Sequence, residues 1–364
     1  MKDWNKKVVT KAEIEPLCKK YNINGILASI FVRRGITSGE KILFFLEKDL
    51  RFQHNPFLFN NMEDAVDRIL AAKEDEEKIL IFGDKDVDGV SSTAIIFEYL
   101  KRINADVQWR LPVGDDSYGL SIQAIDDFYE EGGTLIITVD CGISNNYEID
   151  YANEKGIDVI VTDHHNPTET LPNAVSIINP KIDNSGYPFK DISGAAVISK
   201  VVSALRFSQT PFYKTDICLI DIQESNNCYE ISCLKIRNMK KYKELKVSIV
   251  PGQTSISETK LPFFLEGQII YAWDSIKTSN QLTDLFGKGI MFELIDFKKE
   301  VSKVYPSLQN KSINDLSSIS KSGLYSETTS SLLDNFYNLF VSYLKRIEYK
   351  INPSFIEDEI ADIQ

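Results

Sequence analysis

The spacing of hydrophobic residues divides the chain into three parts. In the first part the pattern predicts helices, since residues 26–32 are mostly apolar and residues 40–46 predict a second helix. Residues 61–70 predict an amphipathic helix with Asn61 as its N-cap and acidic residues in its first turn. Residues 1–75 are therefore predicted to form a helical N-terminal segment.

In the second part, short apolar runs each end in a polar cluster and are followed by a helical pattern. These runs are residues 78–83, 134–140, 157–163 and 174–179. Continuous apolar strands that alternate with helices indicate a parallel sheet buried on both faces. The polar clusters stand at the carboxyl ends of the strands, where open α/β sheets place their sites. Residues 76–206 therefore predict an α/β domain with a parallel sheet.

The third part, residues 207–346, predicts a second α/β module inserted into the chain. Strand patterns occur at residues 217–222 and 268–273, and a long helix is predicted at about residues 330–346. Residues 347–364 are predicted to begin the return to the first domain. The predicted fold class is α/β, with a helical N-terminal segment, a parallel-sheet domain and an inserted second module.

Composition narrows the class of protein. The five cysteines are odd in number and lack CxxC spacing, which predicts free thiols in a reducing cytosol and a cytoplasmic protein. No apolar run approaches the length of a membrane span, and the first residues lack the apolar stretch of a signal peptide. The net charge of −12 mildly disfavours a nucleic-acid partner. Net charge averages over the whole surface, however, whereas nucleic-acid binding depends on one local groove.

Three predicted strand ends concentrate carboxylates and histidines. They carry the segments Gly83-Asp84-Lys85-Asp86-Val87-Asp88-Gly89, Asp140-Cys141-Gly142 and Asp163-His164-His165. Several carboxylates in one cleft repel each other and resist burial, and a divalent cation resolves that conflict. Mixed carboxylate and imidazole ligands suit Mn²⁺, or Mg²⁺ with fewer nitrogens. Two such ions can bridge a phosphate and activate a water, so the expected chemistry is phosphoester hydrolysis.

Each of these segments has a simpler explanation when it is taken alone. Residues 84–89 could be a solvated turn, whereas a calcium loop is disfavoured because Ile95 stands at its twelfth position, where glutamate is required. The pair His164-His165 could be an ordinary core or surface pair. The occurrence of all three segments at successive strand ends favours a shared metal site.

The three segments resemble the motifs of the DHH phosphoesterases, and among them the RecJ-type exonucleases specific for single-stranded DNA. Residues 163–165 match the motif that names the superfamily, and residues 83–89 and 138–143 resemble the first and second RecJ motifs. Other RecJ-like segments surround them: Arg34-Gly-Ile-Thr-Ser, Tyr118-Gly-Leu-Ser, Asn179-Pro-Lys and Tyr187-Pro-Phe-Lys-Asp-Ile-Ser-Gly-Ala-Ala-Val. The resemblance covers about residues 24–206.

The resemblance implies a role for each residue of these segments. The ligands of a two-metal centre of Mn²⁺ or Mg²⁺ would be Asp84, Asp86, Asp88, Asp140 and His164. His165 would contact or position the scissile phosphate and Asp163 would orient an imidazole, so these two are the predicted catalytic residues. Ser193 and Gly194 would bring a backbone amide near the nucleotide, or else simply pack the start of a helix. Lys85 stands where the family has an aromatic residue, and we favour a solvent-exposed side chain over a phosphate contact.

Two features of the family are missing from this sequence. The fourth motif, an Asp after a long apolar run, has only an acidic counterpart around Asp358 and Asp362. The Gly-Gly-His motif of the family's second domain cannot be present, because the three histidines are His54, His164 and His165. We therefore expect an incomplete metal site and little or no nuclease activity from this chain alone, which would be a fragment, a split gene product or the product of a disrupted gene.

The inserted module faintly resembles proofreading-type 3′–5′ exonucleases. The similarity lies in residues 218–224, where those enzymes require Asp-x-Glu. Asp221 is present, but Gln223 replaces the glutamate, and the later histidine is absent. We expect a degenerate module that serves binding or spacing, because incomplete ligation rarely supports two-metal chemistry.

The resemblance implies a metal-dependent 5′–3′ exonuclease acting on single-stranded DNA in DNA repair and recombination. Single-strand-binding protein or other repair proteins would be its partners, and no membrane is implied. One open alternative is a DHH phosphodiesterase for short oligonucleotides or cyclic dinucleotides, which the RecJ-like segments outside the motifs disfavour. The other is a non-catalytic RecJ-like protein that binds DNA or the replisome. The intact carboxylates argue against this second alternative, and the missing fourth Asp argues for it.

Overall fold

The computed structural model describes residues 6–37, 39–46, 53–114, 118–225, 228–287, 292–315 and 331–351. The chain forms two compact units. The parallel-sheet unit comprises the described residues within 54–215, 237–240 and 347–351. The mixed-sheet unit comprises the described residues within 6–53, 216–236 and 241–346.

Helices and strands alternate along most of the chain. The helices are α1 (Lys11–Tyr21), α2 (Gly25–Arg33), α3 (Gly39–Leu46), α4 (Met62–Glu74), α5 (Val87–Arg102), α6 (Ile122–Glu130), α7 (Asn146–Glu154), α8 (Gly194–Ser208), α9 (Leu261–Leu265), α10 (Ser275–Phe286), α11 (Phe297–Ser302) and α12 (Leu332–Ile351). The strands are β1 (Lys78–Gly83), β2 (Asp106–Arg110), β3 (Leu135–Val139), β4 (Asp158–Thr162), β5 (Ser176–Ile178), β6 (Ile217–Ser225), β7 (Cys228–Arg237), β8 (Lys240–Ile249), β9 (Ile269–Ala272) and β10 (Leu294–Asp296).

The parallel-sheet unit is built on a five-stranded sheet in the order β2-β1-β3-β4-β5. All four neighbouring pairs are parallel, which confirms the predicted parallel sheet and the α/β fold class. Gly83 pairs with Val139, and Val139 pairs with Thr162, so β1, β3 and β4 end side by side. The loops that follow these three strands therefore leave the sheet at one edge.

Both faces of the sheet are buried along β1, β3, β4 and β5, as their continuous apolar runs predict. On one face, Leu80, Ile136 and Val159 pack with residues of α6 and α7, including Phe128 and Ile149. Successive side chains of a strand point to opposite faces, so the intervening residues face the other side. Helix α8 packs against both α4 and α5, and α5 packs against β1 and β2.

The helices that border the edge begin at side-chain caps. Asp86 Oδ1 accepts a hydrogen bond from Gly89 N at 2.9 Å and so caps α5. Ser193 Oγ accepts from Ala196 N at 3.2 Å and caps α8, which agrees with the predicted helix start. Asn61 stands at the N-cap of α4 as predicted, but its side chain accepts no cap hydrogen bond.

The mixed-sheet unit contains a second five-stranded sheet in the order β10-β9-β6-β7-β8. Strands β6 and β7 are antiparallel, whereas β9 is parallel to both β6 and β10. On one face, Ile220 and Cys233 pack with Phe264 and Leu282. Tyr271 and Trp273 pack edge-on against Phe297, which also stacks near Phe336 and Phe340 of α12. The sequence pattern thus placed two of its strands and its last helix.

The compact units group some residues differently from the predicted domains. Helix α4 was predicted within the N-terminal segment of residues 1–75, yet it belongs to the parallel-sheet unit because it packs on α8 and β5. Residues 207–215 also belong to that unit. Most of the predicted return segment, residues 352–364 with Asp358 and Asp362, lies outside the described residues. Within the described part of the chain, no helix is long and apolar enough to cross a membrane.

Candidate metal centre

Three acidic residues stand directly after the aligned strands of the parallel sheet. Asp84 follows β1, Asp140 follows β3 and Asp163 follows β4. The strand ladder continues one step further at two of them, since Asp140 N donates to Thr162 O at 2.9 Å and Asp163 N donates to Ile178 O at 3.1 Å. The parallel register therefore brings together carboxylates that are distant in the sequence.

Two groups of potential metal ligands lie at this edge. In the first, one ligand atom from each of Asp84, Asp86 and Asp140 lies within 4.8 Å of the others. In the second, the same holds for Asp140, His164 and His165. Both groups include Asp140, so an ion in each group would share this carboxylate. Among the residues that the structure describes, these are the groups of this kind that were found.

The Asp140 carboxylate is buried without compensation. Its side chain is 1% exposed, and neither carboxylate oxygen has a hydrogen-bond partner among the described residues. His164 Nε2 lies 3.1 Å from Asp140 Oδ1, but the pair lacks hydrogen-bond geometry. Burial, followed by repulsion from Asp88 and Asp86, raises the pKa of Asp140 to about 8. A divalent cation beside such a buried carboxylate would make its ionised form favourable.

Asp163 holds the following two residues in place. It is fully buried, and its Oδ1 accepts hydrogen bonds from His164 N at 2.7 Å and His165 N at 3.0 Å. The same oxygen lies 2.8 Å from His165 Nδ1, while Oδ2 accepts from Ile143 N at 3.0 Å. With four partners on its two oxygens, Asp163 orients the histidines instead of offering a free ligand atom.

Asp88 is held by the start of helix α8. Its Oδ2 accepts a hydrogen bond from Gly194 N at 2.7 Å, and its Oδ1 accepts one from Ala195 N at 2.7 Å. The N-terminus of a helix offers free amides and a partial positive charge, which favour a carboxylate there. Asp88 Oδ2 also lies 3.7 Å from His164 Nε2, so Asp88 adjoins the second ligand group.

The close approach of α8 requires a glycine at its first position. A Cβ on Gly194 would lie 2.3 Å from Asp140 Oδ1, a distance at which the carboxylate would have to move. The glycine therefore lets the helix start reach Asp88 while Asp140 keeps its place. Neither partner is near Gly194 in the sequence, so this requirement appears only in three dimensions.

The structure brings all the predicted metal and catalytic residues to one edge of the sheet. Five of the seven belong to the two ligand groups, Asp163 orients His165, and Asp88 lies beside His164. Ser193 caps α8, and the amide of Gly194 is engaged by Asp88, so their predicted role toward a nucleotide stays a prediction. The exposed Lys85 points its Nζ at Gly114 O, 3.3 Å away.

Tyr118 is a neighbour of the site to which sequence reasoning gave no role. Its hydroxyl lies 3.0 Å from His165 Nδ1 and donates to Asp140 O at 3.2 Å. Burial, with the Asp163 carboxylate nearby, raises the pKa of this phenol, which therefore keeps its proton. The sequence did indicate this region, because a RecJ-like segment begins at Tyr118. That segment contains no acidic residue or histidine, so nothing in it pointed to a role in the site.

A family model matches the middle of the chain. Residues 78–223 match the model of the DHH family, N-terminal domain. This match agrees with the parallel sheet and with the Asp-His-His segment after β4.

The chain is similar to single-stranded-DNA-specific exonucleases named RecJ. It is 38% identical to that of Bacillus subtilis (strain 168) over 204 residues, which is 56% of this chain and 26% of the relative. It is 34% identical to that of Haemophilus influenzae over 203 residues, which is 55% of this chain and 34% of the relative. The suspected resemblance is confirmed, and the chain spans about a quarter to a third of the length of these relatives.

The chain is also similar to solved structures of RecJ. A crystal structure of exonuclease RecJ bound to manganese is 32% identical, with a TM-score of 0.37, over 40% of this chain and 37% of that chain. A crystal structure of RecJ from Thermus thermophilus in complex with Mn²⁺ is 26% identical, with a TM-score of 0.43, over 56% of this chain and 28% of that chain.

Proposed function

We propose that the parallel-sheet unit of this chain, which resembles the DHH family, binds two divalent cations and hydrolyses phosphodiester bonds of single-stranded DNA from the 5′ end. The main support for a metal site is the buried carboxylate of Asp140. It is shared by two ligand groups, and neither of its oxygens has a hydrogen-bond partner among the described residues. Native proteins rarely leave such a group unpaired, and a cation at a metal site supplies the missing partner.

The donor set fits Mn²⁺ or Mg²⁺. One ion would be held by Asp84, Asp86 and Asp140, and the other by Asp140 and His164, with His165 beside it. Oxygen ligands suit both metals, and the imidazoles favour manganese. Bound ions of this kind supply a water of lowered pKa and stabilise negative charge on a phosphate. Among the similar solved structures, one is of RecJ bound to manganese and another is of RecJ in complex with Mg²⁺.

Hydrogen bonds within the chain hold the side chains of the proposed site in place. Asp163 fixes His165 through Nδ1, and we assign His165 to the scissile phosphate or its positioning. The amides of Gly194 and Ala195 hold Asp88 beside the second ligand group. A site whose groups are already oriented loses less entropy when a substrate binds.

The choice of substrate is supported by the relatives. The curated proteins to which the chain is similar are named single-stranded-DNA-specific exonucleases. Because the chain spans only part of those proteins, the 5′–3′ direction, a role in repair and recombination, and partners such as single-strand-binding protein are proposals, as is a cytoplasmic location. Incomplete ligation by a missing fourth Asp remains our prediction for this chain, and it predicts a slow reaction.

Metal binding is tested by calorimetry with MnCl₂ on the wild-type chain and on the Asp140→Ala and Asp88→Ala variants. We expect weak binding that both substitutions reduce. Asp183→Ala is the matched control, because Asp183 is an exposed aspartate of the same unit outside both ligand groups. Tight binding that neither Asp140→Ala nor Asp88→Ala changes would contradict the metal assignment.

The substrate is tested with the chain in excess over labelled DNA, which allows a slow reaction to be followed. We expect Mn²⁺-dependent release of nucleotides from the 5′ end of a single strand, no cutting of duplex DNA, and loss of the reaction in His165→Ala. Cleavage of cyclic dinucleotides with no cutting of long strands would favour the oligonucleotide phosphodiesterase instead. Robust cleavage by this chain would contradict the predicted incomplete site.

A further inference from the structure

The hydroxyl of Tyr118 lies between two residues of the candidate metal centre. It is 3.0 Å from His165 Nδ1 and 3.2 Å from the main-chain oxygen of Asp140. The two rings meet edge to face, with centroids 5.8 Å apart and an interplanar angle of 86°. One tyrosine therefore contacts both the histidine assigned to the phosphate and the backbone of the carboxylate shared by the two ligand groups.

The hydrogen-bond partners determine which atom carries each proton. Asp163 Oδ1 already accepts the amide protons of His164 and His165, so it acts as an acceptor toward His165 Nδ1, 2.8 Å away. Nδ1 must then carry the ring proton. The single hydroxyl proton of Tyr118 goes to Asp140 O, and the hydroxyl oxygen faces the Nδ1 proton as a second acceptor.

The backbone around Tyr118 is fixed by a side chain from another loop. Asn145 Oδ1 accepts a hydrogen bond from Leu120 N at 3.2 Å, and Asn145 Nδ2 donates to Leu120 O at 3.2 Å. Gly119 has a φ of 86°, and a Cβ there would lie 2.5 Å from Asn145 Oδ1. The residue after Tyr118 must therefore be glycine for this arrangement, and the tyrosine is placed by a fixed turn.

We propose that Tyr118 is a positioning residue that ties the His165 ring to the backbone of Asp140 and keeps the Nδ1–H tautomer in one orientation. Nε2 of His165 then remains available, through its lone pair to a metal ion or, when the ring is doubly protonated, as an N–H donor to a phosphate group. This inference rests on the proposed function only for the role of His165. The hydrogen-bond arrangement itself can be tested without any reaction.

The test compares Tyr118→Phe with the wild-type chain. Phenylalanine keeps the ring and its edge-to-face packing and removes only the hydroxyl. Tyr129→Phe is the matched control, since Tyr129 is a half-exposed tyrosine of the same unit whose ring contacts Lys155. The chain has three histidines, so selective ¹⁵N-histidine labelling gives few resonances, and His165→Gln assigns the signal of interest.

In the metal-free wild type at pH 8 we expect the ¹⁵N shifts of the Nδ1–H tautomer for His165 and slow exchange of that proton with water. Tyr118→Phe should speed this exchange at least tenfold, because the hydroxyl no longer covers Nδ1, and should raise the share of the other tautomer. In single-turnover cleavage of 5′-labelled single-stranded DNA with Mn²⁺, the rate constant should fall about tenfold, the effect of one hydrogen bond. Tyr129→Phe should change neither quantity.

An unchanged His165 spectrum and exchange rate in Tyr118→Phe would overturn the inference, whatever the nuclease assay gives. A changed spectrum without any metal-dependent cleavage by the wild type would uphold the positioning of His165 and count against the proposed function alone. A changed spectrum with an unaltered cleavage rate would overturn the catalytic consequence of the positioning.

Discussion

Replacing Asp140 with asparagine should remove a pH dependence of stability that the buried carboxylate imposes on the metal-free chain. The side chain of Asp140 is 1% exposed, and its surroundings raise its pKa to about 8. In an unfolded chain an aspartate has a pKa of about 4. Asparagine keeps the shape of the side chain and tolerates the left-handed backbone found here, with φ of 59°.

The sign and size follow from proton linkage. A pKa raised in the folded state means that the native protein binds more protons than the unfolded chain, so stability falls as pH rises from about 4 to about 8. With a native pKa of about 8, this group should cost about 2 kcal/mol of stability between pH 6 and pH 8. The Asp140→Asn variant lacks this cost, and saturating Mn²⁺ should abolish it in the wild type.

The assay is urea unfolding in EDTA at pH 6 and pH 8, followed by circular dichroism, with the two proteins compared at each pH. Subtracting the variant's pH dependence from that of the wild type cancels the other titrating groups. Asp183→Asn serves as the control at an exposed position of the same unit. Equal pH dependence in the wild type and in Asp140→Asn would refute the reasoning, because Asp140 would then ionise as easily in the folded protein as in water.

Three further substitutions test the surroundings of this carboxylate. Gly194→Ala should weaken Mn²⁺ binding at least tenfold in calorimetry, since its Cβ would lie 2.3 Å from Asp140 Oδ1, while Ala195→Gly should leave the affinity within about twofold. Asp88→Asn should lower the free energy of unfolding of the metal-free chain by about 2 kcal/mol in urea, because an amide can accept only one of the two helix amides. Gly119→Ala should cost about 1 to 2 kcal/mol by the same measurement, and an unchanged midpoint would contradict the strained turn.

The fold of the parallel-sheet unit could be predicted because its information is local. Apolar runs of strand length, each followed by a helical pattern, report burial on both faces before any pairing is known. Asp84, Asp140 and Asp163 directly follow three of these strands, and parallel strands place their carboxyl ends at one edge. Strand boundaries and acidic residues were therefore enough to predict that these side chains gather at one edge of the sheet.

The finer structure of the site depends on contacts between distant residues, which periodicity does not report. The helix that holds Asp88 starts 106 residues later, at Gly194. The sharing of Asp140 between two ligand groups depends on the register in which Gly83, Val139 and Thr162 align. Tyr118 carries no charge, and its segment was noted only for its similarity to RecJ sequences. Its contact with His165 therefore appears only in the folded chain.

The domain limits also depend on contacts between distant residues, which the sequence pattern does not report. Helix α4 has an amphipathic pattern that predicts a helix but not its partner, and its partners proved to be α8 and β5. The resemblance of the inserted module to proofreading exonucleases remains a prediction. Asp221 lies buried in β6 with Gln223 Nε2 donating to its Oδ2 at 2.7 Å, and no ligand group found among the described residues includes it.

The most direct measurement of the central claim is anomalous X-ray scattering from crystals of the chain soaked in MnCl₂, with data collected on both sides of the manganese absorption edge. We predict two anomalous peaks at the edge of the parallel sheet, one beside Asp84 and Asp86 and one beside His164 and His165, with the Asp140 carboxylate contacting both. Soaked crystals of Asp140→Asn should show weaker peaks or none. Manganese bound elsewhere, or an edge without anomalous density at high manganese concentration, would contradict the account.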